Sequence, residues 1–155
     1  MAIIVEAVNE VYSLENNSNI KLFLAGGITN CPDWQADLIK DIKNIPNLTI
    51  YNPRRKNFPI GDLNAAEQQI TWEFNHLRDA DIVTFWFSSG SLNPIVLYEL
   101  GMWGNSCDRP IIVGIDPDYE RKHDVEFQTR LASPEIPIVY SLKDMAEEIH
   151  KLLDE

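Results

Sequence analysis

Cysteine is nearly absent. Cys31 and Cys107 are the only two among 155 residues, far apart and without Cys-x-x-Cys spacing. A disulfide framework and a cysteine-built zinc cluster are thereby excluded, and a reducing compartment is expected. Long apolar runs are missing too: no window approaches the roughly 20 residues a membrane helix needs. The opening MAIIVEAVNEVYS carries no basic leader, so a soluble cytoplasmic protein is expected. Positive charge is scarce, with 13 Lys and Arg against 24 Asp and Glu and a formal net charge of −11. Such a balance repels phosphate backbones and anionic lipid, which argues against a nucleic-acid or membrane partner. It leaves room for a small anionic ligand held by a few local arginines. Neither G-x-G-x-x-G nor a P-loop is present, and His76 has no partner at metal-ligand spacing, so no cofactor or metal is expected.

What remains is an ordinary globular composition, 45% hydrophobic and 24% charged, at a length suited to one domain. Short β-branched or aromatic runs at 22–25, 48–51, 82–87, 111–114 and 138–140 alternate with helical periodicity at 34–43, 65–77, 95–103, 125–131 and 142–153. That alternation predicts a flavodoxin-like, doubly wound parallel sheet of five strands. Ser141 followed by Asp144 marks the last helix start as a capping box. Residues 1–19 form an N-terminal extension whose apolar 3–8 stretch fits an added edge strand, with polar 15–19 as connector; the domain proper is 20–155.

Ligands of open α/β sheets bind beyond the carboxyl ends of the strands. The loops to read are therefore Gly26-Gly27-Ile28-Thr29-Asn30, Asn52-Pro53-Arg54-Arg55, the Ser88 to Asn93 stretch with Gly90, and Asp116-Pro117-Asp118. Gly26-Gly27 lets backbone approach a ligand, or is a plain strand-to-helix turn. Arg54 and Arg55 offer local positive charge for a phosphate or carboxylate, or are simply solvated. Asn93, just before Pro94 at a first helical position, reads as an N-cap, a role that competes with recognising a base.

Two carboxylates stand out. Glu99 is the one ionisable group on a helix otherwise apolar on all sides, a composition that predicts burial. A carboxylate there is either an active-site group or a buried glutamate that pairs with an arginine or caps a loop. Ala66, Ile70, Phe74 and Leu77 recur at helical spacing as the expected core stripe of the preceding helix, with Glu73 half-buried at its margin. Glu73 by itself reads as a flank residue with a snorkelling stem; beside Glu99 the two read as a pair able to divide nucleophile and proton-transfer roles. Trp72, Trp86, Phe87 and Trp103 are expected mostly in core or interface, and His76 as a surface or hydrogen-bonded histidine.

Taken in order, Leu22-Phe23-Leu24-Ala25-Gly26-Gly27, Tyr51-Asn52-Pro53-Arg54-Arg55, Gln69-Ile70-Thr71-Trp72-Glu73, Ala80-Asp81-Ile82-Val83 into Phe85-Trp86-Phe87, and Tyr98-Glu99-Leu100-Gly101 resemble the nucleoside 2-deoxyribosyltransferase family. The resemblance runs from Ile20 to about Arg130. It implies cleavage of the N-glycosidic bond of a 2'-deoxynucleoside, a covalent sugar ester on Glu99, and passage of the sugar to another nucleobase or to water, with Glu73 orienting the nucleophile and moving protons. It further implies substrate contacts from Gly26, Gly27, Asn52, Arg54, Arg55, Ser88, Gly90 and Asn93, and a homo-oligomer in which the outer face of the Glu99 helix, with Leu97 and Leu100, supplies the subunit contact. Two departures matter. Asn93 stands where members carry an aspartate that serves the base, and asparagine can hydrogen-bond but cannot act as a general acid. Phe23 stands where a tyrosine is frequent. The rival readings are a nucleoside 5'-monophosphate N-glycosidase and a noncatalytic nucleotide-binding module.

Overall fold

The computed structural model describes residues 1–8, 18–105 and 108–154. Cys107 and most of the expected connector lie outside them. In chain order the elements are β1 (Ile3–Glu6), β2 (Ile20–Gly26), α1 (Trp34–Ile42), β3 (Leu48–Asn52), α2 (Leu63–Asp79), β4 (Ile82–Phe87), α3 (Pro94–Trp103), β5 (Ile111–Ile115), α4 (Lys122–Ala132), β6 (Ile138–Val139) and α5 (Leu142–Leu153).

All strand pairs are parallel, in the order β1-β3-β2-β4-β5-β6. Without β1 this is the flavodoxin-like order, with its reversal point between β2 and β4. β1 adds an outer edge beside β3, from Ile3 opposite Thr49 to Glu6 opposite Asn52, as the sequence led one to expect.

Burial explains the arrangement. β3, β4 and β5 are buried at every residue, which only a sheet covered on both faces allows. Alternation along the strands sends Phe23, Tyr51, Phe85, Phe87 and Val113 to one face, where they pack with Trp72 and Leu77 of α2, Val96 of α3 and Val125 of α4. It sends Leu22, Leu24, Ile50, Trp86 and Ile112 to the other, against Trp34 and Leu38 of α1 and Met145 and Ile149 of α5. Helix starts follow their residue chemistry. Asp62 accepts from the amides of Asn64 and Ala65, and Ser141 accepts from that of Asp144 at 3.0 Å. Pro94 occupies the first turn of α3.

Two expectations are corrected here and one open alternative is decided. The buried stripe of α2 is Ala65, Trp72, His76 and Leu77, whereas Ile70 (64% exposed) and Phe74 (44%) face outward. His76 is buried, its Nδ1 2.7 Å from the Trp72 carbonyl and its ring stacked on Trp72 at 3.9 Å, so of the two alternatives, surface or hydrogen-bonded, the hydrogen-bonded one holds. Helix α3 is not enclosed: Val96 alone among its residues is buried, and Ile95 (62%) and Tyr98 (67%) are open. The sheet covers one side of α3 and Phe74 of α2 packs on Trp103 near its end, while Ile95, Leu97, Tyr98 and Met102 stay exposed among the described residues, so its all-round apolarity reflects an outer face as well as a core face.

Candidate functional site

The carboxyl ends of β2, β3, β4 and β5 bring their loops to one rim, and side chains from one loop satisfy the backbone of the next. Arg54 donates from Nη2 to the carbonyls of Pro32 at 2.9 Å and Cys31 at 3.3 Å, and from Nε to Gln35 Oε1 at 3.0 Å, with Asp33 3.3 Å away. Trp34 Nε1 donates to the Gly27 carbonyl at 3.0 Å. Tyr119 Oη donates to the Leu92 carbonyl at 2.6 Å, joining the loop after β5 to the loop after β4. Asn52 Oδ1 accepts from the Arg54 amide at 3.1 Å, turning the chain out of β3.

The two glycines are required by packing. A Cβ on Gly26 would sit 2.2 Å from the Trp34 ring and 2.8 Å from the Trp86 carbonyl, and one on Gly27 would sit 1.9 Å from Asn93 Oδ1 and 2.5 Å from Cys31 Sγ. Their side-chain positions are already occupied by protein, so only their backbone is left for a ligand. Asn93 takes the N-cap position of α3 in a left-handed conformation (φ 51°), but its side chain makes no cap bond, against expectation. The reason is competition: Nδ2 donates to the carbonyls of Ser88 at 2.9 Å and Ser91 at 3.0 Å, closing the loop on itself, and Oδ1 faces Cys31 Sγ at 3.4 Å. Both amide hydrogens of Asn93 are thus engaged. Ser88 is buried with its Oγ unpartnered, and Gly90 is exposed at the tip of the same loop.

Glu73 on α2 and Glu99 on α3 are both half-buried on the sheet face that these helices share. Burial holds the Glu99 carboxyl far above its usual range, and the charge of Glu73 pushes it higher still, to about 8. Glu73 is also raised by burial, and the hydrogen bond from Gln69 opposes the rise. Among the described residues no salt bridge reaches either carboxylate. The arginine-paired alternative for Glu99 therefore does not apply: Arg54 spends its donors on loop carbonyls and Gln35. Two acids whose proton affinities are both raised by burial, Glu99 further by the charge of Glu73, titrate as a coupled pair. Such a pair can present one ionised carboxylate and one carboxylic acid at once.

Arg55 and Ser88 were expected at this rim; Gln35 and Gln69 were not. The buried polar side-chain atoms left without a partner include Gln35 Nε2, Arg55 Nη1, Gln69 Oε1, Trp72 Nε1 and Ser88 Oγ, all on elements at this end of the sheet. Buried polar groups are nearly always paired, so a concentration of orphans marks a place where binding takes precedence over stability. For Gln69 the signal was available: it lies four residues before Glu73, one helical turn on the same face. Gln35 gave no signal, since its complete burial arises from α1 packing under the loop after β2. An open cavity of about 520 Å³ lies at the opposite end of the sheet, lined by Arg109, Ile111, Glu135, Pro137 and Leu152 among others, far along the strands from the carboxylate pair. Among the described residues no group of three or more His, Cys, Asp or Glu is placed to hold a metal ion, and no helix is long and apolar enough to cross a membrane.

The model of the family described as "Nucleoside 2-deoxyribosyltransferase like" matches residues 19–119, a span that holds every rim residue named above. No curated protein matches the chain. Among solved structures, a crystal structure of a conserved protein from Enterococcus faecalis V583 superposes with a TM-score of 0.61 at 16% identity, over 88% of this chain and 100% of that one, a likeness of fold.

Proposed function

Because the chain belongs to the nucleoside 2-deoxyribosyltransferase-like family, we propose that it cleaves the N-glycosidic bond of 2'-deoxynucleosides through an ester on Glu99. The observation that carries this reading is the electrostatic coupling of Glu73 and Glu99 at the carboxyl rim of the sheet.

The empty site holds its proton on Glu99. On binding, that proton passes to Glu73, and the freed Glu99 carboxylate attacks the anomeric carbon from the face opposite the base. The new C–O bond forms as the C–N bond breaks, its electron pair goes to the departing base nitrogen, and Glu73 returns the proton there. A nucleoside and a carboxylic acid have become a glycosyl ester and a free base. In the second half water, or another nucleobase, gives a proton to Glu73 and displaces the ester with a second inversion. Glu73 thereby supplies the proton that Asn93 cannot. Two displacements predict retention at the anomeric carbon and ping-pong kinetics. No metal or redox cofactor enters this scheme.

Gly26 and Gly27 line the sugar pocket through their backbone, and Asn52, Ser88, Gly90 and Asn93 complete its polar wall. The second reading, hydrolysis of nucleoside 5'-monophosphates, is favoured by Arg55, whose buried Nη1 has no partner. A 5'-phosphate would supply one. The exposed apolar side of α3 and α2, with Ile95, Leu97, Tyr98, Ile70 and Phe74, is the proposed contact with further copies of the chain in the cytoplasm.

Intact mass after mixing with a 2'-deoxynucleoside tests the chemistry. A deoxyribosyl adduct is expected on the unsubstituted protein and not on Glu99→Ala. Turnover that survives undiminished in Glu99→Ala refutes the assignment. Parallel incubation with deoxynucleoside monophosphates, with and without free adenine, separates base exchange from release of sugar or sugar phosphate.

A further inference from the structure

Gln69 has no assigned role in the reaction above, yet its geometry is specific. Its Nε2 donates to the Pro53 carbonyl at 2.7 Å and to Glu73 Oε1 at 2.9 Å, so both amide hydrogens are used. The Pro53 carbonyl can only accept, which fixes the orientation of the amide: nitrogen toward the loop and the carboxylate. Its Oε1 is buried without a donor. A residue placed for stability alone would have both ends satisfied. A neutral donor on a carboxylate oxygen favours the charged form of that carboxylate. The charge of Glu73 in turn raises Glu99, the titratable group on the neighbouring element α3.

We propose that Gln69 is the positioning residue of the carboxylate pair, its amide tying Glu73 to the loop between β3 and α2 and keeping the negative charge on Glu73, so that the resting proton stays on Glu99. The nucleophile is then masked in the empty site. The same amide links the Pro53 carbonyl, in the loop that carries Arg54 and Arg55, to the pair. The inference rests on the reading of Glu99 and Glu73 as the reacting pair.

The test uses substrate-free protein labelled with carbon-13 at the glutamate carboxyls, with signals assigned through Glu73→Gln and Glu99→Gln. In the unsubstituted protein the higher titration step belongs to Glu99. In Gln69→Met, which keeps side-chain length and helix propensity, the Glu73 step moves up and the Glu99 step moves down. Carboxyl titrations in a folded Gln69→Met protein identical to those of the parent overturn the proposal. A second measurement needs no substitution: the Gln69 side-chain amide signals shift with the titration of Glu73, and the proposal falls if they stay still. Kinetics supply a readout that a purely structural role would not reproduce. Gln69→Met, by moving the resting proton toward Glu73 and unmasking Glu99, raises the rate of adduct formation about tenfold, and changes nothing in the Glu73→Gln background; a slower rate, or an effect that persists in that background, overturns the proposal. Titrations that move as stated without any adduct in the parent leave Gln69 in place and refute the glycosyl chemistry instead.

Discussion

The proposed sharing of a proton between Glu73 and Glu99 is tested by the pH profile of kcat/KM, because the profile reports ionisations of the free protein. The reactive form carries one proton on the pair. With the upper step at about 8, roughly nine-tenths of the protein holds that proton at pH 7 and about one-tenth at pH 9, so kcat/KM falls about tenfold across this interval. The perturbation that isolates the cause is Glu73→Gln. A glutamine can neither take nor return a proton, so the only active form left is the one with Glu99 ionised, and the limb inverts: rate then rises with pH. Its midpoint also moves below 8, because the charge of Glu73 no longer raises Glu99. It moves by less than half of the total displacement from 4.5, since burial is the larger of the two causes. The assay is initial base release from a 2'-deoxynucleoside at concentrations well below KM, from pH 5 to 9.5, for both proteins. A parent profile that rises through pH 8, or a Glu73→Gln profile that still falls, refutes the shared-proton reasoning.

Other consequences follow from the same coordinates. A carboxyl whose folded pKa is raised binds its proton more tightly folded than unfolded, so its cost to stability is absent below about pH 4.5, grows with pH and is complete above about pH 8. Glu99→Gln is therefore expected to unfold at higher denaturant concentration than the parent by about 3 kcal/mol at pH 7, with no difference near pH 4; equal stability at both pH values contradicts the burial of Glu99. Gly27→Ala drives a methyl into the engaged Asn93 side chain and should cost about 1–3 kcal/mol in chemical denaturation, and unaltered stability would mean the loop after β4 yields freely. Ile95→Lys puts a charge on the open face of α3, the proposed contact between copies of the chain, and should lower the sedimentation coefficient while leaving circular dichroism unchanged; an unchanged sedimentation coefficient contradicts that contact.

The strands were legible because a parallel sheet covered on both faces demands short, continuous, β-branched runs, and Ile82–Phe87 and Ile111–Ile115 satisfy that demand by composition alone. Helix α2 was misread on the same logic. Its apolar residues Ile70 and Phe74 suggested a stripe, but Trp72 and His76 carry the packing, and a histidine stacked on tryptophan has no hydropathy signature. For α3 the periodicity had nothing to distinguish, since a helix apolar on every side looks the same whether the chain encloses it or leaves one side to a neighbour.

Local sequence determined, unaided, which segments extend and which coil, the proline and serine that start two of the helices, and the oddity of a carboxyl on an apolar helix, because propensity, capping and patterning act over a few residues. Tertiary structure alone decided that the charge of Glu73 reaches Glu99, that Arg54 is consumed by loop carbonyls, and that Gln69 reaches both Pro53 and Glu73. Those relations depend on strand order, which places β2 next to β4 and sets α2 beside α3 on one face. The proton affinity of Glu99 depends in turn on how much water that juxtaposition excludes, a property of the packed molecule rather than of any segment of it.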